Sequence, residues 1–175
     1  MLETRRVSRY VGIDLSYNQV RLAKWLLNHI TDAFTLVADV NSLPIAANSF
    51  DSAVSVEVVH HLAHRGGFYK EVARALRPGG NFYLAGMWDR RDGDEAEMWR
   101  SCGFNLIKCD DITASVLDAL EATSENRKEL VQSASVSSKH LLALMNWAGV
   151  MGHAAFAALQ SRDLVYLVCQ CTRMF

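Results

Sequence analysis

The stretch VADVNSLPIAANSFDSAVSVEVVHHL, residues 37–62, decides the fold. An apolar run over 34–38 closes on Asp39, and Pro44 and Asn48 then break the chain into a loop. Phe50-Asp51 opens a second apolar run over 52–56, which closes on Glu57. Both runs are too short for a helix and suit half-buried strands. Acids at strand tips matter because open α/β sheets bind ligands outside the carboxyl ends of their strands.

The same pattern extends outward. Upstream, a strand over 8–13 ends at Asp14, Ser16 caps the next helix, and Val20, Leu22, Ala23, Leu26 and Leu27 give it an apolar face. Downstream, a helix over 66–76 sets Phe68, Val72, Ala75 and Leu76 on one side. Pro78-Gly79-Gly80 ends it and supplies a turn before a strand over 81–85. A helix over 94–101, a strand over 104–109, helical stretches over 113–133 and 138–159, and a strand over 164–171 complete the series. Strands alternating with helices predict an α/β, Rossmann-like layer structure with a mostly parallel sheet. The chain, 1–175, reads as a single domain: core elements over 8–110, a helical insertion or lid over 111–162, and a last strand over 163–175.

Composition narrows the function classes. Half of the 175 residues are hydrophobic, 21% are charged and the formal net charge is −1. Such a balance predicts a globular chain and argues against nucleic acid as the main partner. The polar start MLETRRVSRY carries no secretory pattern, which predicts a cytoplasmic protein. Residues 141–159 are apolar but interrupted by Asn146, Gly149, Gly152 and His153, a poor membrane span and a better buried or lid helix. Cys102, Cys109, Cys169 and Cys171 form no CxxC pair and read as buried thiols, with Cys169 and Cys171 on one face of a strand. No metal cluster is expected. Trp88, Trp99 and Trp147 read as core or pocket walls.

Three phrases in order, YVGIDLS, the stretch above and EVARALRPGGNFYLAGMW, resemble the small-molecule class I S-adenosylmethionine-dependent methyltransferases. Later, Trp99 to Phe104 reads W-x-x-x-G-F and is similar to that family's penultimate strand. The resemblance implies S-adenosylmethionine as cofactor, a small-molecule acceptor and an antiparallel last strand. By position, Asp14 and Leu15 match the ribose-binding acid and its neighbour, and Asp39 and Val40 match the adenine side. A carboxylate offers two acceptor oxygens to a vicinal diol. Glu57 lies where the family places the methionine part or the acceptor. His60 and His61 join it as candidates for acid–base work, since imidazole exchanges a proton near neutral pH. Asp14 also suits a helix start, and Asp39 suits a turn. Two other readings are an inactive methyltransferase-like regulatory partner, and a non-methylating enzyme on the same scaffold.

The family's first strand and its D-x-G-x-G-x-G loop have no counterpart in this sequence. In the family's order that strand lies between those ending at Asp14 and Glu57. Its absence implies a gap of roughly 10 Å, lined by unpaired backbone groups costing ~1–3 kcal/mol each when buried. The expected remedies are an upstream start in the parent gene, direct pairing of the flanking strands, or a strand from a second copy or another protein. The chain alone is therefore expected to bind S-adenosylmethionine weakly. Calorimetry on a verified monomer checks this, and micromolar affinity contradicts it.

Overall fold

The computed structural model describes residues 8–93 and 95–175. Among them, strands β1 (Tyr10–Asp14), β2 (Ala33–Val37), β3 (Phe50–Val56), β4 (Leu76–Asp89), β5 (Phe104–Asp111) and β6 (Leu164–Arg173) alternate with helices. The helices are α1 (Tyr17–Leu26), α2 (Arg65–Ala75), α3 (Glu95–Ser101), α4 (Thr113–Ala122), α5 (Ser124–Gln132), α6 (Ser138–Trp147) and α7 (Ala154–Gln160).

β4 is the axis of the larger sheet. It pairs in parallel with β3 and antiparallel with β6, and β5 pairs antiparallel on β6's far edge, giving the order β3-β4-β6-β5. Along β4, Phe82, Leu84 and Trp88 are buried. The apolar side of α2 brings Phe68, Tyr69 and Val72 against it. The rings interlock edge-on: Phe68 lies 5.8 Å from Phe82, Tyr69 6.3 Å from Trp99, and Trp88 6.4 Å from Trp99 at 87°. Phe104 of β5 closes the cluster 5.3 Å from Phe82. Burying each such side chain contributes about 1.5–3 kcal/mol.

β1 and β2 form a separate two-stranded parallel sheet, in register from Tyr10↔Ala33 to Asp14↔Val37. Among the described residues β1 pairs only with β2, and β3 only with β4. Between the two sheets lies a slot of about 640 Å³, walled by residues 9–14 and 52–56 and floored by Phe68, Val72, Leu76 and Phe82. The gap lies between the strands where the sequence places it, and the flanking strands do not pair directly. Ser16 caps α1, its Oγ accepting from Gln19 N–H at 3.4 Å. The expected apolar face of α1 is only half realised. Val20, Ala23 and Leu27 are half-buried, while Leu22, Trp25 and Leu26 are exposed, because β1 and β2 are too narrow to cover them.

The helical excursion is cut more finely than the sequence reading expects. Residues 113–133 divide into α4 and α5 around Thr123, and 138–159 divide into α6 and α7. Gly149 and Gly152, at φ 60° and 84°, make the second break. A left-handed conformation there favours glycine. Arg127 spans the breaks, donating to the carbonyls of Leu120 and Gly149. The excursion is rooted at one point. Thr113, fully buried, donates its hydroxyl to Asp111 Oδ1 at 2.6 Å and accepts from Tyr166 N–H at 2.8 Å.

The cysteine expectation needs correction. Cys102 and Cys171 are buried free thiols, but Cys109 and Cys169, opposite each other on β5 and β6, form a disulfide. Cross-strand register brings the two side chains together, which spacing in the sequence does not reveal. Trp88 and Trp99 are core residues, whereas Trp147 is 77% exposed on α6 and walls nothing.

Phe82→Ala should cost ~3–5 kcal/mol, and Val54→Ser, on the slot edge, within about 0.5 kcal/mol. Urea unfolding measures both, and equal losses would put the slot edge inside the core.

Candidate functional site

The carboxyl ends of β1 and β2 bring the first two candidate acids side by side. Asp14 ends β1 opposite Val37, and its carbonyl accepts from Ala38 N–H at 3.1 Å, one residue before Asp39. Both carboxylates also shape the local turn. Asp14 Oδ1 accepts from Ser16 N–H at 2.7 Å, and Asp39 Oδ1 accepts from Asn41 N–H at 2.8 Å. Among the described residues no hydrogen bond reaches either Oδ2, so each acid carries a turn and retains an outward oxygen. Asp14 and Val40 line the slot, while Leu15, 72% exposed, lies outside its lining.

The loop after β2 is held by two residues that the sequence reading does not single out. Glu71 and Arg74, one helical turn apart on α2, bond each other through Arg74 Nε and Glu71 Oε1 at 2.9 Å. Glu71 Oε2 accepts from Leu43 N–H at 2.8 Å. The Arg74 guanidinium donates to Ile45 O at 2.6 Å and Leu43 O at 3.0 Å. Arg74 holds the Glu71 carboxyl below its ordinary range, with the Leu43 amide adding to the effect against burial. The E-x-x-R spacing in EVARAL is the available sequence signal, since residues three apart share a helix face.

Across the slot, β3 ends at a second group. Glu57 has φ 59°, a left-handed conformation that costs a non-glycine residue ~1–2 kcal/mol. Its N–H still donates to Ala85 O at 2.9 Å, so the sheet ladder imposes the turn. A short 3-10 turn, Val59–His61, follows and returns His60 toward Glu57, with Nε2 and Oε2 at 3.9 Å. That is too long for a hydrogen bond. The His60 and His61 rings lie 4.0 Å apart. Burial and the neighbouring His61 lower the proton affinity of His60, with Glu57 opposing them. The structure thus brings together Asp14 with Asp39 at the ends of β1 and β2, and Glu57 with His60 and His61 at the end of β3; of these five, Asp14 lines the slot. No group of three or more metal-ligating side chains occurs among the described residues.

A layered α/β chain with its polar residues at strand ends, around a slot between parallel edges, defines a Rossmann-like ligand-binding architecture. Residues 1–84 match the family described as methyltransferase domain. The chain is 30% identical over 154 residues to phthiotriol/phenolphthiotriol dimycocerosates methyltransferase of Mycobacterium tuberculosis, covering 85% of this chain and 53% of that one. It is 32% identical over 97 residues to fatty-acid O-methyltransferase of Mycolicibacterium smegmatis, covering 55% of this chain and 35% of that one. Its fold is similar to an O-methyltransferase from a trans-AT PKS multienzyme of Brevibacillus brevis in complex with S-adenosyl-L-homocysteine. That likeness has TM-score 0.75 at 13% identity, over 95% of this chain and 59% of that one. The chain is thus similar in sequence to methyltransferases over 85% of its length, and residues 1–84 match their domain family. It spans about half the length of the mycobacterial relative. Among the described residues no helix is long and apolar enough to cross a membrane.

Relief of the Glu57 backbone strain is measurable. Glu57→Gly should be more stable than Glu57→Ala by ~1 kcal/mol, read from paired urea titrations. Equal stability would mean that the turn is unstrained.

Proposed function

We propose that this chain forms the main part of a methyltransferase acting on a small apolar molecule. The observation that carries this reading is the pairing of Asp14 and Asp39 at the ends of adjacent parallel strands. Two carboxylates one strand apart suit the two polar ends of a nucleoside: Asp14 for the ribose hydroxyls and Asp39, with the Val40 backbone, for adenine. Leu15 flanks the ribose side. S-adenosylmethionine supplies, when bound, a methyl group on a positively charged sulfur that leaves readily.

The chain's own residues do the rest. The Glu71–Arg74 clamp holds the adenine-side loop in place. Glu57 orients the far end of the cofactor or the acceptor, and His60 or His61 takes a proton from the acceptor. Apolar slot walls exclude water and align the reactants. An apolar acceptor is favoured by those walls and by relatives named for fatty acid and phthiotriol substrates. The reading includes a cytoplasmic location and a strand from outside the described residues, from this polypeptide, a second copy or another protein, that completes the sheet.

Titrating the chain with S-adenosylmethionine while following backbone amide resonances tests the assignment. Shifts should cluster at Asp14, Leu15, Asp39 and Val40, and Asp14→Ala should weaken binding about tenfold or more, the loss expected of a charged hydrogen bond. Unchanged affinity in both Asp14→Ala and Asp39→Ala would remove it.

A further inference from the structure

Two adjacent glycines lie in the first turn of α2, and their surroundings differ. A Cβ on Gly66 would meet nothing within 4 Å, whereas one on Gly67 would lie 2.7 Å from Asn41 Oδ1 and 3.6 Å from Asn41 Cγ. Glycine weakens a helix relative to alanine. At position 67 the bare backbone forgoes that stability where a loop residue needs the space.

Asn41 fills the space. Its side-chain amide lies in the loop after β2, between the first turn of α2 and the Asp39 carboxylate. On one side Nδ2 donates to Asp39 Oδ1 at 3.2 Å, and the Asn41 N–H donates to the same oxygen at 2.8 Å. On the other side Oδ1 faces α2 at Gly67. The charges on the two sides agree with this orientation. The carboxylate attracts the amide NH2. The N-terminal turn of α2, which has no side-chain cap, carries partial positive charge that attracts the amide oxygen. A flipped amide would set oxygen against oxygen at Asp39.

We propose that Asn41 and Gly67 are positioning residues for Asp39: the amide, propped on the bare first turn of α2, occupies Oδ1 and so turns Oδ2 outward as the acceptor for a purine amino group. The role toward a purine rests on the reading of Asp39 as the adenine-side acid, whereas the contact between Asn41 and Gly67 does not. A carboxylate oriented in advance need not be ordered by its ligand, and the saving appears as affinity. The contact also gives α2 a second hold on the loop, beside the grip of Glu71 and Arg74 on Leu43 and Ile45.

Three variants test the proposal by nuclear magnetic resonance. Gly67→Ala should displace the amide, so the Asn41 side-chain NH2 resonances move. S-adenosylmethionine affinity, read from backbone amide shifts, should fall about fivefold, the worth of one hydrogen bond. Gly66→Ala should leave both readouts unchanged. Asn41→Ala should weaken binding to a similar degree, and adding Gly67→Ala to it should cost nothing more, because the collision is gone. The urea midpoint of Gly67→Ala should not fall, since alanine favours the helix. Unmoved Asn41 side-chain resonances in Gly67→Ala, equal weakening by Gly66→Ala and Gly67→Ala, additive losses in the double variant, or a lowered urea midpoint each overturn the proposal. Absence of any binding by the parent chain strikes the methyl-transfer reading instead, and the side-chain resonances still decide whether Gly67 props Asn41.

Discussion

The Glu71–Arg74 pair is the interaction on which the two halves of the molecule depend. Among the described residues no strand pairing joins the β1–β2 sheet to the four-stranded one. What joins them is the loop between β2 and β3, and α2 grips that loop through backbone groups of Leu43 and Ile45. Asn48 and Ser49 N–H groups add bonds to the carbonyls of Arg74 and Ala75, at 3.0 and 2.8 Å. An exposed ion pair by itself would contribute little. Here the guanidinium answers two carbonyls that would otherwise go unpaired, which is the costlier omission. Because α2 is bolted to β4 by Phe68, Tyr69 and Val72, the loop carrying Asp39 inherits the rigidity of the aromatic core.

Much of this was legible in the residues. Short apolar runs closing on Asp14, Asp39 and Glu57 located three strand ends, and β1, β2 and β3 end within two residues of those acids. The phrase EVARALRPGG gave α2 and the start of β4, although β4 extends through the turn residues to Asp89. The β3 pairing ends at Val56↔Ala85, and β4 runs on to Asp89 because β6 still pairs with it there. The antiparallel last strand and the gap between β1 and β3 followed from the resemblance and are present in the structure.

Long-range contacts were not legible. Thr113 takes the Tyr166 N–H across 53 residues, and no periodicity links residues so far apart. Cys109 meets Cys169 only through strand register, and a slip of one residue would turn one side chain to the opposite face. The helical segment misled for a local reason. The sequence reads 138–159 as one helical stretch, yet the left-handed glycines at 149 and 152 divide it into α6 and α7. Within α6, Met145 is buried while Trp147, two residues on and so on the opposite side of the helix, faces outward.

Thr113 carries a wider implication. The helical segment leaves the sheet at Asp111 and returns at Leu164, and both roots are stitched at one buried hydroxyl beside Tyr166. Arg162 adds a tie to Asp111 from the returning side. A segment anchored at neighbouring points can lengthen, shorten or change its surface without disturbing the ladder below. Change on the exposed faces of helices α4–α7 is thereby uncoupled from the strand ladder, so long as the knot at their base survives.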